Sequence, residues 1–153
     1  MDKLRTIVTF ETSLFNITKT KDYYINPENY GDDLAKWFAD ELEKKGATID
    51  RDDEFPGQED FGWYLCFQID AKSYCLVIGH RPCEDGKHEW IGWIERDCGL
   101  VASFFGGRNK KIGKDVLGLI QTILSASDKI ANIRWHYRED FEKGLEEVAV
   151  SKP

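Results

Sequence analysis

Residues 61–78 read FGWYLCFQIDAKSYCLVI, and large apolar side chains take every second position on either side of a polar centre. This period-two alternation is typical of β-strands that bury one face. A turn over residues 70–73 would pair Ile69 with Tyr74 and place both apolar sets on the same face, as burial requires. The stretch therefore predicts an antiparallel hairpin, and this hairpin sets the class of fold.

Outward from the hairpin, the same alternation predicts further strands. It recurs at residues 4–11, 88–95 and 133–137, and residues 100–105 are a candidate for one more strand. Consecutive strands joined by short connections pair in antiparallel fashion. These segments therefore predict a mainly antiparallel sheet.

Helices are predicted where apolar residues recur every three to four positions. In residues 31–46, Leu34, Phe38 and Leu42 form such a stripe, and Gly46 is placed to end the helix. The other predicted helices are residues 112–127 and, in short form, 139–148. The chain thus carries two main helices between its strands.

The order of these elements predicts an α+β fold, with a mainly antiparallel sheet and two main helices packed on it as two layers or a sandwich. No stretch rich in Pro, Gly or Ser divides the chain, so we expect a single domain over residues 1–153. A chain of this length can bury a core without disulfides or metals.

The charge of the chain limits its partners. Asp and Glu number 28 against 21 Lys and Arg, which gives a net charge of −7. Such a surface repels phosphate groups, so we expect binding neither to nucleic acid nor to a membrane. The same charge suits a basic protein as the partner. Aromatic residues make up 13% of the chain, and besides filling cores they are common binding anchors.

The sequence also indicates a compartment. Its N-terminal part holds no apolar segment of a secretory signal, and no apolar run approaches the roughly 20 residues of a membrane helix. Four cysteines, at positions 66, 75, 83 and 98, form no C-x-x-C pair and are typical of reduced thiols in a cytosolic protein. We therefore expect a cytoplasmic protein and, since no cofactor-binding fingerprint is present, no cofactor.

Four short segments carry a resemblance. They read FETSLFN (10–16), INP (25–27), GDDLAKW (31–37) and EDFGW (59–63). Together they resemble a family of small uncharacterised bacterial proteins with the same order of elements, and the likeness covers about the first half of the chain. The resemblance implies a bacterial, cytosolic, stand-alone domain and no particular activity.

The strongest candidate site is the acidic segment DRDDEFPGQED, residues 50–60, which holds six carboxylates and one Arg around a Pro-Gly turn. It predicts an exposed loop. An apolar anchor ringed by carboxylates can capture a basic protein. The candidate partner-binding residues are Asp52, Asp53, Glu54, Phe55, Glu59 and Asp60. The alternative interpretation is a solvated charged loop.

A second candidate is a small-ligand pocket formed by Trp63, His80 and Arg108. A carboxylate beside Trp63, from Glu59 or Asp60, could have a raised pKa and act as a general acid. Arg108 belongs to a basic, Gly-rich loop before a helix, where a phosphate could bind. That loop has neither the P-loop pattern nor the dinucleotide-binding pattern.

Metal binding and thiol chemistry are weaker candidates. His80, Cys83 and His88 form the densest group of metal-ligand residues, but their H-x2-C-x4-H spacing matches no standard zinc motif, and a polar hairpin loop is the alternative. Cys98 could act as a nucleophile with His80 or His136 as its base, although nothing local fixes that geometry.

No group of residues has the spacing of a catalytic motif. The sequence therefore favours a non-catalytic cytosolic bacterial protein that acts by protein–protein binding, for example as an immunity protein or antitoxin. Two alternatives stay open: a small enzyme or ligand-binding domain of unknown substrate, and a metal-binding regulator.

Overall fold

The computed structural model describes residues 3–53, 55–83, 88–96 and 112–153. Within these ranges the chain forms seven β-strands, three α-helices and one 3-10 turn. In chain order they are β1 (Ile7–Thr12), α1 (Asp32–Lys44), β2 (Thr48–Ile49), β3 (Gly57–Glu59), β4 (Gly62–Ile69), β5 (Lys72–Pro82), β6 (His88–Arg96), α2 (Lys114–Ser125), β7 (Ile130–His136), α3 (Arg138–Glu142) and the 3-10 turn Glu146–Val148. The candidate strand at residues 100–105 lies outside the described residues.

The strands form one sheet in the order β2–β4–β5–β6–β1–β7, with β3 on the same edge of β4 as β2. Each pairing between described strands is antiparallel. The predicted α+β class, a mainly antiparallel sheet with two main helices, is therefore confirmed.

One face of the sheet forms the core together with both main helices. The sheet contributes large, almost fully buried side chains: Val8, Phe10, Trp63, Leu65, Phe67, Tyr74, Leu76, Ile78, Trp90 and Ile94. The helices cover them with Leu34, Phe38 and Leu42 of α1 and with Val116, Ile120 and Ile123 of α2. Removing this apolar surface from water is the main favourable contribution to folding. The single-domain organisation over residues 1–153 stays a prediction.

The β4–β5 hairpin has a tighter turn than the sequence suggested. Ile69 pairs with Lys72, so Asp70 and Ala71 alone form the turn, and the predicted pairing of Ile69 with Tyr74 is wrong by two residues. Both turn residues have positive φ, 50° and 63°, as a type I′ turn requires, and the twist of this turn matches that of the strands. Side chains alternate between the two faces of a strand, so a register shift of two residues leaves the predicted buried face unchanged.

Other predicted elements occur with adjusted ends. Helix α1 lies where expected, and Gly46 follows it with a φ of 98°. The predicted loop 50–60 is partly wrong, because its last part is strand β3, which pairs with β4. The predicted helix 139–148 is also wrong, since Gly144 at a φ of 77° separates α3 from the 3-10 turn.

The C-terminal segment covers one end of the second sheet face. Phe141 of α3 packs on His136 with 5.1 Å between ring centroids. Glu146 accepts a hydrogen bond from Arg81 of β5 at 2.5 Å. His136 is therefore 2% exposed, because α3 packs over it.

We expect Ala71→Gly to raise the free energy of unfolding by about 0.5–1 kcal/mol. A positive φ costs an alanine roughly 1–2 kcal/mol, and the greater chain entropy of glycine in the unfolded state offsets part of the relief. Urea unfolding followed by circular dichroism measures the change.

The matched control is Ala126→Gly at the C-terminal end of α2, where φ is −72°. Glycine gives no conformational relief there, so we expect a small loss of about 0.5 kcal/mol. If Ala71→Gly destabilised the protein as Ala126→Gly does, the type I′ turn would be incorrect.

Candidate functional site

A depression lies beside β3 and β4, bounded by the segment before α1, by α1 itself and by residues 50–56, which we call the acidic loop. It has a volume of about 490 Å³ and is open to solvent on one side. Its lining residues are Tyr23, Ile25, Lys36, Asp53, Phe55, Pro56, Gln58, Trp63 and Tyr64. We call it the aromatic groove, because four of these side chains are aromatic rings.

The first wall of the aromatic groove is the segment that contains Tyr23, and hydrogen bonds to a buried carboxylate keep it in place. Asp32, the first residue of α1, is fully buried and accepts hydrogen bonds from Lys21 Nζ at 2.8 Å and Tyr24 Oη at 2.6 Å. The hydroxyl of Tyr23 donates to the same carboxylate. Negative charge is also favoured at a helix N-terminus. These contacts fix the segment that contains Tyr23 against the start of α1.

The protonation state of Asp32 follows from these contacts. Burial disfavours its charged form, but the hydrogen bonds from Lys21, Tyr23 and Tyr24 together outweigh burial and lower the pKa of Asp32 below its usual value. Burial and the bond to Asp32 raise the pKa of Tyr24. At neutral pH the carboxylate is therefore charged and the tyrosine hydroxyl is its donor.

An arginine holds the second wall, which belongs to the acidic loop. Arg51 donates from Nη2 to Asp40 at 3.0 Å and from Nε to Glu43 at 2.9 Å, and both acids lie on α1. Its guanidinium carbon lies 4.9 Å from the centroid of the Phe55 ring. Exposed ion pairs of this kind contribute little stability each. The ion pairs of Arg51 join the acidic loop to α1, and the contact of Arg51 with Phe55 keeps that ring next to the helix.

Two consecutive aromatic residues of β4, Trp63 and Tyr64, also line the groove. Trp63 is 1% exposed, and its Nε1 donates to the carbonyl of Asn29 at 2.7 Å. The ring of Tyr64 lies over Gly57 of β3, where an added Cβ would come within 2.2 Å of Tyr64 Cζ. A glycine at position 57 is therefore required for Tyr64 to lie in this place.

Gln58 connects β3 to the segment that forms the first wall. Its side chain accepts a hydrogen bond from the Ile25 N–H and donates to the Tyr23 carbonyl, each at 2.8 Å. The backbone at these two residues is thus fixed while their side chains remain accessible. Tyr23 is 50% exposed and Ile25 is 71% exposed.

Charged groups stand at the rim of the aromatic groove. Asp53 lines it, and the neighbouring Asp52 is exposed to solvent. On α1, Lys36 Nζ lies 5.9 Å from the centroid of the Tyr23 ring. The groove therefore offers an apolar centre with carboxylates on the loop side and an ammonium group on the helix side.

The structure brings together part of the predicted sites. Asp53 and Phe55, from the predicted partner-binding set, line the same groove as Trp63, from the predicted ligand pocket. Glu59 ends β3 and Asp60 follows it in the turn before β4, and neither lines the groove. Glu54 and Arg108 lie outside the described residues.

His80 does not line the aromatic groove. Its ring packs against Tyr30 and Trp90, with centroid distances of 5.9 Å and 5.1 Å. Burial lowers the pKa of His80, and its electrostatic interaction with nearby His88 lowers it further. His80 is therefore neutral at pH 7 and packs among aromatic rings.

The metal-ligand candidates show no cluster in the part of the chain that the structure describes. There, no three His, Cys, Asp or Glu side chains lie close enough to hold a metal ion. Cys83 Sγ lies 3.3 Å from Glu89 Oε2. Glu84 and Asp85, which lie between His80 and His88 in sequence, are outside the described residues.

Of the predicted pair of Cys98 and His136, the structure describes only His136. His136 Nε2 is hydrogen-bonded with Thr9 Oγ1 at 2.8 Å, and burial lowers the pKa of His136. Cys98 lies outside the described residues. His136 is therefore engaged with β1 in this structure.

Sequence reasoning missed the first wall of the groove. Tyr23 and Ile25 lie in a segment without periodicity, and their placement depends on hydrogen bonds to Asp32 and Gln58, whereas Lys36 lies on α1. One signal was present: two tyrosines and an isoleucine are adjacent in an otherwise polar stretch. Adjacent large apolar residues in such a loop indicate packing or binding.

Comparison with known proteins assigns no function to this chain. The chain matches no family model, no curated protein and no solved structure. The resemblance to small bacterial proteins therefore stays a prediction. Among the helices of the described residues, none is both long and apolar enough to cross a membrane.

We expect Asp32→Asn to lower the free energy of unfolding at pH 7 by about 2–3 kcal/mol, because hydrogen bonds to a charged group are replaced by weaker ones. The folded-state pKa of Asp32 lies below its unfolded value. Its ionisation thus stabilises the fold above an unfolded pKa of about 4, and this stabilisation is lost as the pH falls through the lower folded value. Urea unfolding from pH 7 to pH 3 measures the difference.

The control is Asp22→Asn, which removes an exposed carboxylate from the same segment. We expect a change within about 0.5 kcal/mol at every pH. A difference between wild type and Asp32→Asn that stays constant down to pH 3 would contradict the charged role of Asp32.

Proposed function

We propose that this chain is a non-catalytic, cytoplasmic protein-binding domain whose aromatic groove and adjacent acidic loop capture a segment of a basic protein. One observation carries the proposal: an open groove with aromatic walls lies directly against exposed carboxylates of the loop. Aromatic anchors in a groove with a charged rim are the usual energetic centre of a protein interface.

The apolar part of the groove supports a macromolecular partner. Ile25 is 71% exposed and Tyr23 is 50% exposed, and both line the groove. Neither position is needed to fill the core. Large apolar side chains held at the surface by backbone hydrogen bonds are suited to contact with another protein.

The pre-formed walls support binding without a large ordering penalty. Asp32 fixes Tyr23, and Arg51 fixes the loop to Asp40 and Glu43 of α1. A surface that is already ordered loses less conformational entropy when a partner binds. The groove is therefore suited to bind a partner segment without a large rearrangement.

The charge of the chain supports a basic partner. The net charge is −7, and Asp52 and Asp53 add local negative potential beside the groove. Such a surface accelerates the encounter with a basic protein and disfavours acidic competitors. A concrete version of this proposal is an immunity protein or antitoxin that blocks a basic toxin.

We expect Asp52→Lys combined with Asp53→Lys to abolish capture of the partner, because the change places like charges against a basic segment. Ile25→Asp should also abolish capture, since it places a charge within the apolar contact. Tagged protein is used to capture partners from a lysate of the source cells, with quantitative mass spectrometry of the bound fraction.

A charge-matched control is Asp128→Lys combined with Glu147→Lys. Both residues are exposed and lie near β7, at the opposite edge of the sheet from β3. This variant changes the net charge equally and should retain capture. Equal capture by the loop variant and the control would place the binding surface elsewhere.

Small-ligand binding is a second candidate function for the same groove. Its volume of about 490 Å³ lies within the usual range for ligand sites, roughly 300–1,000 Å³. A ligand bound there should raise the thermal midpoint of the wild type, and Phe55→Ser should remove that shift while Asp128→Lys keeps it. Absence of any shift across a metabolite library would exclude this candidate for the compounds tested.

A further inference from the structure

Two cysteines face each other across the β4–β5 hairpin. Cys66 of β4 pairs directly with Cys75 of β5 in the strand register. Their Sγ atoms are 2.8 Å apart. Both are thiols and not a disulfide in this structure. Two sulfur atoms at this separation need only a small approach to form a bond.

The type of strand pairing is suited to a disulfide. The two-residue turn makes Ile69 and Lys72 a hydrogen-bonded pair, so the alternation along the ladder makes Cys66 and Cys75 a non-hydrogen-bonded pair. The Cys66 carbonyl points away from β5, because it accepts a hydrogen bond from the Asp50 N–H on the other side of β4, at 2.9 Å. This is the geometry of a non-hydrogen-bonded pair. Non-hydrogen-bonded pairs have Cα atoms about 4.5 Å apart, which lies within the range of disulfides.

The two thiols differ in their access to solvent. Cys66 is partly exposed and lines a surface depression of about 400 Å³ together with Asp50, Gln68 and Ser73. Cys75 is 7% exposed. A reagent in solution can therefore reach Cys66 before it reaches Cys75.

We propose that Cys66 and Cys75 form a redox-active pair that a low-molecular-weight disulfide oxidises to a cross-strand disulfide, with Cys66 as the attacking thiol and Cys75 as the resolving thiol. This site is separate from the aromatic groove and does not depend on the proposed partner-binding function.

The reaction has two exchange steps. The Cys66 thiolate attacks one sulfur of the small disulfide, which forms a mixed disulfide on Cys66 and releases the first small thiol. The Cys75 thiolate then attacks Cys66 Sγ and releases the second small thiol. In total, the protein loses two protons and two electrons, and the small disulfide is reduced to two thiols.

Oxidised glutathione is the probe that tests the proposal. Incubation of the native full chain should consume two of its four thiols, and peptide mapping should find a Cys66–Cys75 cross-link. Addition of dithiothreitol should restore both thiols. Cys83→Ser, at a residue outside the pair, should leave this cross-link unchanged.

Single variants test the order of attack. Cys75→Ser should accumulate one stable glutathione adduct on Cys66, because no resolving thiol is present. Cys66→Ser should react at position 75 at least tenfold more slowly, because that side chain is buried. Circular dichroism of each variant shows that the sheet is retained.

Three outcomes would overturn the proposal. They are a cross-link that joins position 66 or 75 to another cysteine, a stable adduct on wild-type Cys66 without a cross-link, and equal reaction rates of the two single variants. The first two would mean that the native hairpin does not bring the two sulfur atoms into reactive contact, and the third that solvent access does not make Cys66 the attacking thiol.

Discussion

The carboxylate of Asp32 lies where three parts of the structure meet: the start of α1, the irregular segment before it and the wall of the aromatic groove. Three donors converge on it, from Lys21, Tyr23 and Tyr24. A buried charge is unfavourable unless it is paired and hydrogen-bonded. The segment before α1 is therefore constrained to one arrangement, since any other would leave Asp32 without its donors. The aromatic groove exists because this constraint holds Tyr23 beside the sheet.

The scaffold was largely predictable from the sequence, because it depends on local periodicity. Alternation in β4 and β5 identified the buried face, and the stripe of Leu34, Phe38 and Leu42 located α1. The register of the hairpin was not predictable in the same way. Two registers that differ by two residues bury the same side chains, and the backbone conformation at Asp70 and Ala71 decides between them.

The candidate site was predictable in part. The negative charge of residues 50–60 predicted a binding segment, and two of its residues, Asp53 and Phe55, line the groove. The partnership of Tyr23 with Trp63 could not be read from the sequence, because it depends on contacts between residues that are 40 positions apart. His136 shows the same limit, since its burial depends on Phe141 of a helix that packs back across the sheet.

The two short strands β2 and β3 bind the same edge of β4, and the acidic loop spans the interval between them. Both ends of this loop are anchored by main-chain hydrogen bonds, which any residue other than proline can make. Side chains at its tip can therefore diverge during evolution while the framework stays intact. Under the proposed function, homologous chains would recognise different targets by exchanging a few amino acids there, much as antibody loops vary on a common sandwich.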